Sequence, residues 1–288
     1  MSQTELILAA VDKLPTLPGV VARMCALVSS DVWSAEDFEE VVGPDPALTA
    51  NLLRFANSPY FGLRRKITTV QQAVMLMGIK RVFEIAAMGA FSRIIPPYLS
   101  GYETKAADFW VHCVAVAMLS ERLVVELGVK MPELIFTAGL LHDIGKLVIG
   151  VFLSNQSKQI VVEGDSSVGH FLDAERAALG TDHTELGGAL AKKWNLPEVV
   201  EYTALWHHRP SEAPDEGHRV VVDLVHTANA LAHSLGYGVD RGELSRQVDP
   251  AVLQRLHVQA HRLERVAGET FAQIQSMGEF ITKDLPKG

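Results

Sequence analysis

The 288-residue chain has only two cysteines, no long apolar run and no histidine before position 112. Each scarcity excludes something. Cys25 and Cys113 lie in apolar helical patterns and read as small core residues, not as a disulfide framework. With no charged-then-apolar segment at the N-terminus, a cytoplasmic home is the expectation. Runs such as Leu134-Ile135-Phe136 and Val220-Val221-Val222 are short against the roughly 18 residues of a membrane helix, so no membrane span is expected. Basic residues are outnumbered, 26 Lys+Arg against 34 Asp+Glu, for a net charge of −8. Such a chain is poorly suited to non-specific nucleic-acid binding, which rests on neutralising phosphates. Its one basic run, Arg64-Arg65-Lys66, reads as a solvated loop. Period-2 alternation is missing too, as are repeats and low-complexity segments.

What is present is unevenly spread. Residues 1–101 carry 9 basic and 9 acidic side chains, whereas residues 102–288 carry 17 and 25 and all eleven histidines. The change coincides with Pro96-Pro97-Tyr98-Leu99-Ser100-Gly101, where two prolines and a glycine stop one helix before the next. We therefore expect an all-α fold in two parts: a helical N-terminal subdomain over 1–97, for packing or partner binding, and a histidine-rich helical domain over 102–288. Helix starts are marked by Ser2 with Glu5, Ser34 with Asp37, Asp45-Pro46 and Asp249-Pro250, with Pro132 and Pro197 in the same part. Apolar residues then recur at spacings of three and four, as in Val70, Ala73, Val74, Met77 and Val82, and in Leu186, Leu190 and Trp194. Asn57, before Ser58-Pro59, reads as a helix cap. The tail is expected to be helical from Val248 through Phe280 and to pack within the chain.

Chemistry concentrates in the second part. His142 and Asp143 are adjacent at an expected helix end and are followed by Gly145 and Lys146. Neighbours on a helix point about 100° apart, so they do not chelate one ion as a close pair. They can feed two neighbouring sites if the carboxylate bridges. Bridged ions about 3.5–4 Å apart can generate hydroxide and stabilise a leaving oxygen. His112, His183, His207 and His208 stand on other expected helices, the last two at a C-terminus, where partial negative charge favours a cation. Imidazoles with one carboxylate suit transition ions better than Mg or Ca. Lys146 is placed to meet a phosphate. His226 stays a weak candidate. His233 shares its helical face but is left out of the final set, and His170, His218, His257 and His261 read as surface residues.

This ordered set resembles the HD superfamily of metal-dependent phosphohydrolases. Over residues 8–240 the chain more closely resembles the HDOD family of bacterial signalling. The resemblance runs through Leu14-Pro15-Thr16-Leu17-Pro18, Asp45-Pro46-Ala47-Leu48, Asn57-Ser58-Pro59-Tyr60-Phe61, Val74-Met75-Leu76-Met77-Gly78, Leu141-His142-Asp143-Ile144-Gly145-Lys146, His183-Thr184-Glu185-Leu186-Gly187-Gly188, Trp194-Asn195-Leu196-Pro197 and His207-His208-Arg209-Pro210. It implies a helical N-terminal part packed on an HD-like domain. It also implies one metal among His112, His142, Asp143 and a late residue that here is Asn229. A second metal would lie among His183, His207, His208 and the bridging Asp143. One or two divalent transition ions are expected, Fe or Mn foremost, with Ni, Co or Zn accommodated. Asn229 offers a neutral oxygen where the family pattern has Asp, so that site should bind more weakly. The segment after His208 lacks the Gly-Tyr-Pro element of related cyclic-di-GMP phosphodiesterases. The function expected is a regulatory module with a protein partner in a signalling pathway and a pocket for a nucleotide or phosphate ligand. The alternative is an active phosphohydrolase of a nucleotide or other phosphoester, with Asp143 bridging and Lys146 holding phosphate.

Overall fold

Several helices begin where a side chain satisfies their first amides. The computed structural model describes residues 7, 9, 19–28, 34–58, 61, 63–130, 132, 134–154, 168–214, 216–238 and 247–282. The Ser2–Glu5 signal, the Leu14–Pro18 motif and Pro59-Tyr60 lie outside the described residues. Helix α1 (Gly19–Val28) is followed by α2 (Ala35–Val42), which Ser34 and Asp37 open as a reciprocal capping box. Asp45 caps α3 (Pro46–Ala56) through the amides of Ala47 and Leu48. Asn57 closes α3 and also bonds both backbone groups of Ile67, so the expected cap is a staple for the following loop as well. Leu63 through Lys66 are exposed, as a solvated basic run should be. Thr69 caps α4 (Val70–Met77). The apolar pattern through Val82 is broken at Gly78, whose φ of 81° ends α4 and admits α5 (Ile79–Phe91).

After α5 and a 3-10 turn at Ser92–Ile94, the Pro-Pro segment makes a small hairpin, β1 (Tyr98–Leu99) against β2 (Thr104–Lys105). Long α6 (Ala106–Leu127) follows, then α7 (Ile135–Leu141), α8 (Gly145–Leu153), α9 (Val168–Leu179), α10 (His183–Lys193), α11 (Glu198–Trp206) and α12 (Glu216–Ser234). Among the described residues the chain is all-α apart from that hairpin. Pro132 does not open a helix: α7 starts at Ile135 after Leu134 in left-handed backbone, with φ 57°. Pro197 stands one residue before α11, at its cap. Asp249 does cap α13 (Pro250–Arg255), and a break then separates α13 from α14 (Ala260–Thr282). The tail is thus two helices rather than one. Within it α14 packs on α6 through Val266, Ile274 and Met277, with Arg265 and Arg262 paired to Glu126.

One apolar core runs through both parts, from Ile7 to Met277. Its centre is α6 to α8. There the span Ile135–Leu153 is apolar and long enough to cross a membrane by length and composition, which corrects the expectation that no run comes close. Most of it (89%) is buried in the fold, and it carries Asp143 and Lys146. Cys25 and Cys113 are free and buried, and burial pushes the Cys25 thiol up to about 12.

The seam between the parts holds a charge cluster. Arg81 of α5 reaches Glu84 at 2.7 Å and Glu121 of α6 at 2.8 Å. Burial, together with repulsion from Glu121, pushes the Glu84 carboxyl up to about 8 against the pull of Arg81. A carboxyl that holds its proton more tightly folded than unfolded stabilises the fold below its unfolded value, and that stability drains away as pH rises through about 8. Glu84→Gln should therefore leave stability near pH 4.5 almost unchanged and raise the melting temperature by a few degrees above pH 8. Thermal melts across that window check this.

Candidate metal centre

The turn between α7 and α8 delivers the key pair. His142 ends α7, Asp143 follows, and Gly145 begins α8. Gly145 is required by proximity: a Cβ there would lie 1.8 Å from the carbonyl oxygen of His183 and 2.7 Å from the amide of Gly187. Backbone-to-backbone contact of α8 with α10 is what brings Asp143 beside His183. Asp182 fixes the start of α10 by capping Thr184 and Glu185. His207 ends α11, and His112 rises from α6.

Asp143 stands at the middle with its two oxygens facing different partners. Oδ1 lies 3.4 Å from His183 Nε2 and 3.3 Å from His207 Nε2. Oδ2 lies 3.6 Å from His112 Nε2, 3.5 Å from His142 Nε2 and 2.8 Å from Lys146 Nζ. His208 Nε2 is 3.0 Å from His183 Nε2, and His112 Nε2 is 3.3 Å from His142 Nε2. The structure thus gathers two groups that share the carboxylate: Asp143, His183, His207 and His208, and Asp143, His112 and His142. All are buried, His208 most exposed at 6%.

The other ring nitrogens are held from behind. His112 Nδ1 meets the carbonyl of Tyr237 at 2.9 Å, and His142 Nδ1 that of Gly139 at 2.8 Å. His207 Nδ1 meets the carbonyls of Thr203 and Ala204 in the last turn of α11. A carbonyl only accepts, so each Nδ1 carries a proton and each ring turns its Nε2 inward. For His183 the anchor is Glu175 of α9, whose Oε2 accepts from both the His183 amide (2.7 Å) and Nδ1 (2.8 Å). Glu175 is itself fixed by the Tyr102 hydroxyl at 2.6 Å. Outer partners of this kind orient metal-binding imidazoles.

Protonation follows the same geometry. Burial opposes ionisation of Asp143, but the side chains around it, His142, Lys146, His112 and His207, outweigh it and hold the carboxyl well below the usual range. Burial drives His142 well below the usual imidazole value, so it is neutral. His183 is also opposed by burial, yet Glu175 and then Asp143 raise it.

These residues fit a metal. Two inward Nε2 atoms 3.3 Å apart need a proton or a cation between them, and the Asp143 oxygens, apart from Oδ2 at 2.8 Å from Lys146 Nζ, face imidazole nitrogens at 3.3–3.6 Å. An ion with bonds of about 2.0–2.1 Å spaces its ligand atoms roughly 3.4 Å apart when tetrahedral. The separations of 3.0–3.6 Å among the histidine and carboxylate atoms match.

Of the expected set, His112, His142, Asp143, His183, His207 and His208 come together. Asn229 lies on α12 three residues after His226 and four before His233, both of which face the centre: His226 bonds the His207 carbonyl and the His233 ring lies 5.0 Å from that of His112. Asn229 Oδ1 is buried with no hydrogen-bond partner among the described residues. Lys146 is fully buried against Asp143. His226 is corrected to a structural residue: one ring nitrogen faces the His207 carbonyl and the other accepts from the Asp249 amide. His233, left out of the final set, is nearer the ligands. Glu175 was missed, as was Tyr102. Among carboxylates of the second part only Asp143 was expected at the site, and Glu175 corrects that. The usable signal is Gly180, whose φ of 74° reverses the chain so that the last turn of α9 meets the first turn of α10.

Comparison with known proteins places this arrangement. The HDOD domain pattern matches residues 14–210, both parts included, and the chain belongs to the HDOD family. A protein of uncharacterised function from Treponema pallidum (strain Nichols) is 24% identical over 268 residues, covering 90% of this chain. The chain spans about half (49%) of that relative's length. A crystal structure from Shewanella amazonensis SB2B, provisionally assigned as a phosphohydrolase, superposes with a TM-score of 0.70 at 23% identity, covering 96% of this chain and 98% of the other. One from Marinobacter aquaeolei VT8, provisionally assigned to signal transduction, gives 0.73 at 22% identity, over 94% and 60%. These likenesses establish the shared helical fold.

The glycine contact generates a prediction. Gly145→Ala should cost about 3 kcal/mol in a denaturant melt, the upper end for overpacking, because the clash is with backbone. It should also lower the metal content of the folded fraction.

Proposed function

We propose that this chain is a regulatory HDOD module whose buried His/Asp cluster holds one or two divalent transition ions. The observation that carries the reading is the convergence of five anchored or neighbouring imidazoles on both oxygens of one fully buried carboxylate. His183, His207 and His208 with Asp143 Oδ1 form the fuller group. His112 and His142 with Oδ2 form the weaker one, completed by the neutral Asn229 and shared with the Lys146 ammonium. Iron or manganese suits this mixture of imidazole and carboxylate, and nickel, cobalt or zinc can be accommodated. Nearly complete burial of the ligands favours metal holding and signalling over turnover. The first part, histidine-free and without a catalytic pair, suits a protein partner. The two free buried cysteines suit a reducing cytoplasm.

A second reading is hydrolysis of a nucleotide or another phosphoester. The specific observation in its favour is the division of the Asp143 oxygens between two histidine groups. Ions bound there would supply Lewis acidity and a hydroxide. The chain's own part would be to fix the imidazoles through their Nδ1 protons, to exclude water and to present Lys146 to phosphate.

Protein purified without chelator should contain about one or two transition ions per chain, and Asp143→Ala should lose them. Unchanged metal in that variant would remove Asp143 from the bridging role. Asn229→Asp should tighten the weaker site, read as a gain in the second step of a metal titration. A panel of nucleotides and cyclic dinucleotides with added Mn or Fe tests hydrolysis. Turnover abolished in Asp143→Ala would establish the second reading.

A further inference from the structure

Tyr102 touches the candidate centre from both sides without being one of its ligands. It sits in the turn of the hairpin that joins the two parts, between Gly101 with φ 87° and Glu103 with φ 51°. Its hydroxyl donates to Glu175 Oε1 at 2.6 Å, and Glu175 grips the amide and Nδ1 of His183, which faces Asp143 Oδ1. The face of its ring lies 5.6 Å from Lys146 Nζ, and that ammonium sits 2.8 Å from Asp143 Oδ2. One buried side chain therefore touches a partner of Oδ2 directly and reaches a partner of Oδ1 through Glu175.

The hairpin has firm connections on both sides. Leu99 of β1 packs on Gly150 of α8, the helix that carries Lys146. The Ala106 amide, opening α6, bonds the carbonyl of Pro97. Upstream, Arg93 makes a two-point pair with Asp45, the cap of α3 in the first part. A displacement of Tyr102 thus has a short path to the first part.

We propose that Tyr102 is a positioning residue that couples the state of the metal centre to the 98–105 hairpin. The inference rests on the metal-binding reading above. A cation sharing Asp143 Oδ2 brings like charge toward the Lys146 ammonium and alters its hold on the Tyr102 ring. A cation bound by His183 draws on the same imidazole that Glu175 and the Tyr102 hydroxyl orient. Both changes converge on one ring and hydroxyl, and so on the hairpin between the parts.

The test uses the full chain titrated with Co(II), followed by the visible spectrum of the bound ion and by hydrogen exchange of residues 98–105. Wild type should bind Co(II) and show a metal-dependent change in hairpin protection. Tyr102→Phe keeps the ring and the fold; it should still bind Co(II) with little change in affinity but lose most of that change. Glu175→Gln should weaken Co(II) binding by about 10- to 100-fold and shift the spectrum, because the hold on the His183 proton is changed. Binding by wild type with no response at the hairpin overturns the coupling while leaving the metal reading intact. An equal response in Tyr102→Phe overturns it too. No uptake of Co(II), Mn or Fe by wild type overturns the metal reading and the coupling with it.

Discussion

Asp143 places a carboxylate at 0% exposure, where a lone charge costs several kcal/mol even after the surroundings relax. The histidine-rich part is built around meeting that cost. Lys146 supplies the nearest positive charge, and the imidazoles of His112, His142, His183 and His207 stand within 3.6 Å. None of these helices could be displaced without leaving the carboxylate short of partners. The lines α6, α7–α8, α10 and α11 are in this sense set by one side chain.

Packing makes the arrangement rigid. Gly145 removes the side chain that would hold α8 away from α10, and Gly139 lets α7 approach α6 at Ala117. Gly188 does the same for Leu205 of α11. Tight contact on three sides leaves the imidazoles few rotamers, and the carbonyls behind their Nδ1 atoms remove the remaining freedom. The result is a site whose donors are aimed before any ligand arrives, which lowers the entropy lost on binding.

Helical periodicity, capping residues and the order of histidines are properties of short stretches, and these were legible. Ser34, Asp45 and Asp249 cap as expected, and six of the seven residues proposed as ligands share one centre. The seventh, Asn229, is placed by helical register beside His226 and His233. What escaped depends on chain reversals. Glu175 is eight residues from His183 and on a different helix, brought back only by the turn at Gly180. Tyr102 is 73 residues from Glu175. The start of α7 was misread because Leu134 adopts a left-handed conformation that a leucine does not advertise. The apolar span Ile135–Leu153 was overlooked because Asp143 and Lys146 interrupt it as letters, whereas in space they neutralise each other.

The charge pairing at the centre bears on how the protein matures. Asp143 is matched by Lys146, and Glu175 by a His183 that holds its second proton unusually well. These two pairs bring the cluster's own charges close to balance. Small metal-folded domains, by contrast, unfold when the ion is stripped. On the metal-binding reading proposed above, assembly of the core would be uncoupled from metal supply. Newly made chains would then reach their native shape in metal-poor conditions and take up ions afterwards, so their metal content would record availability and not the history of folding.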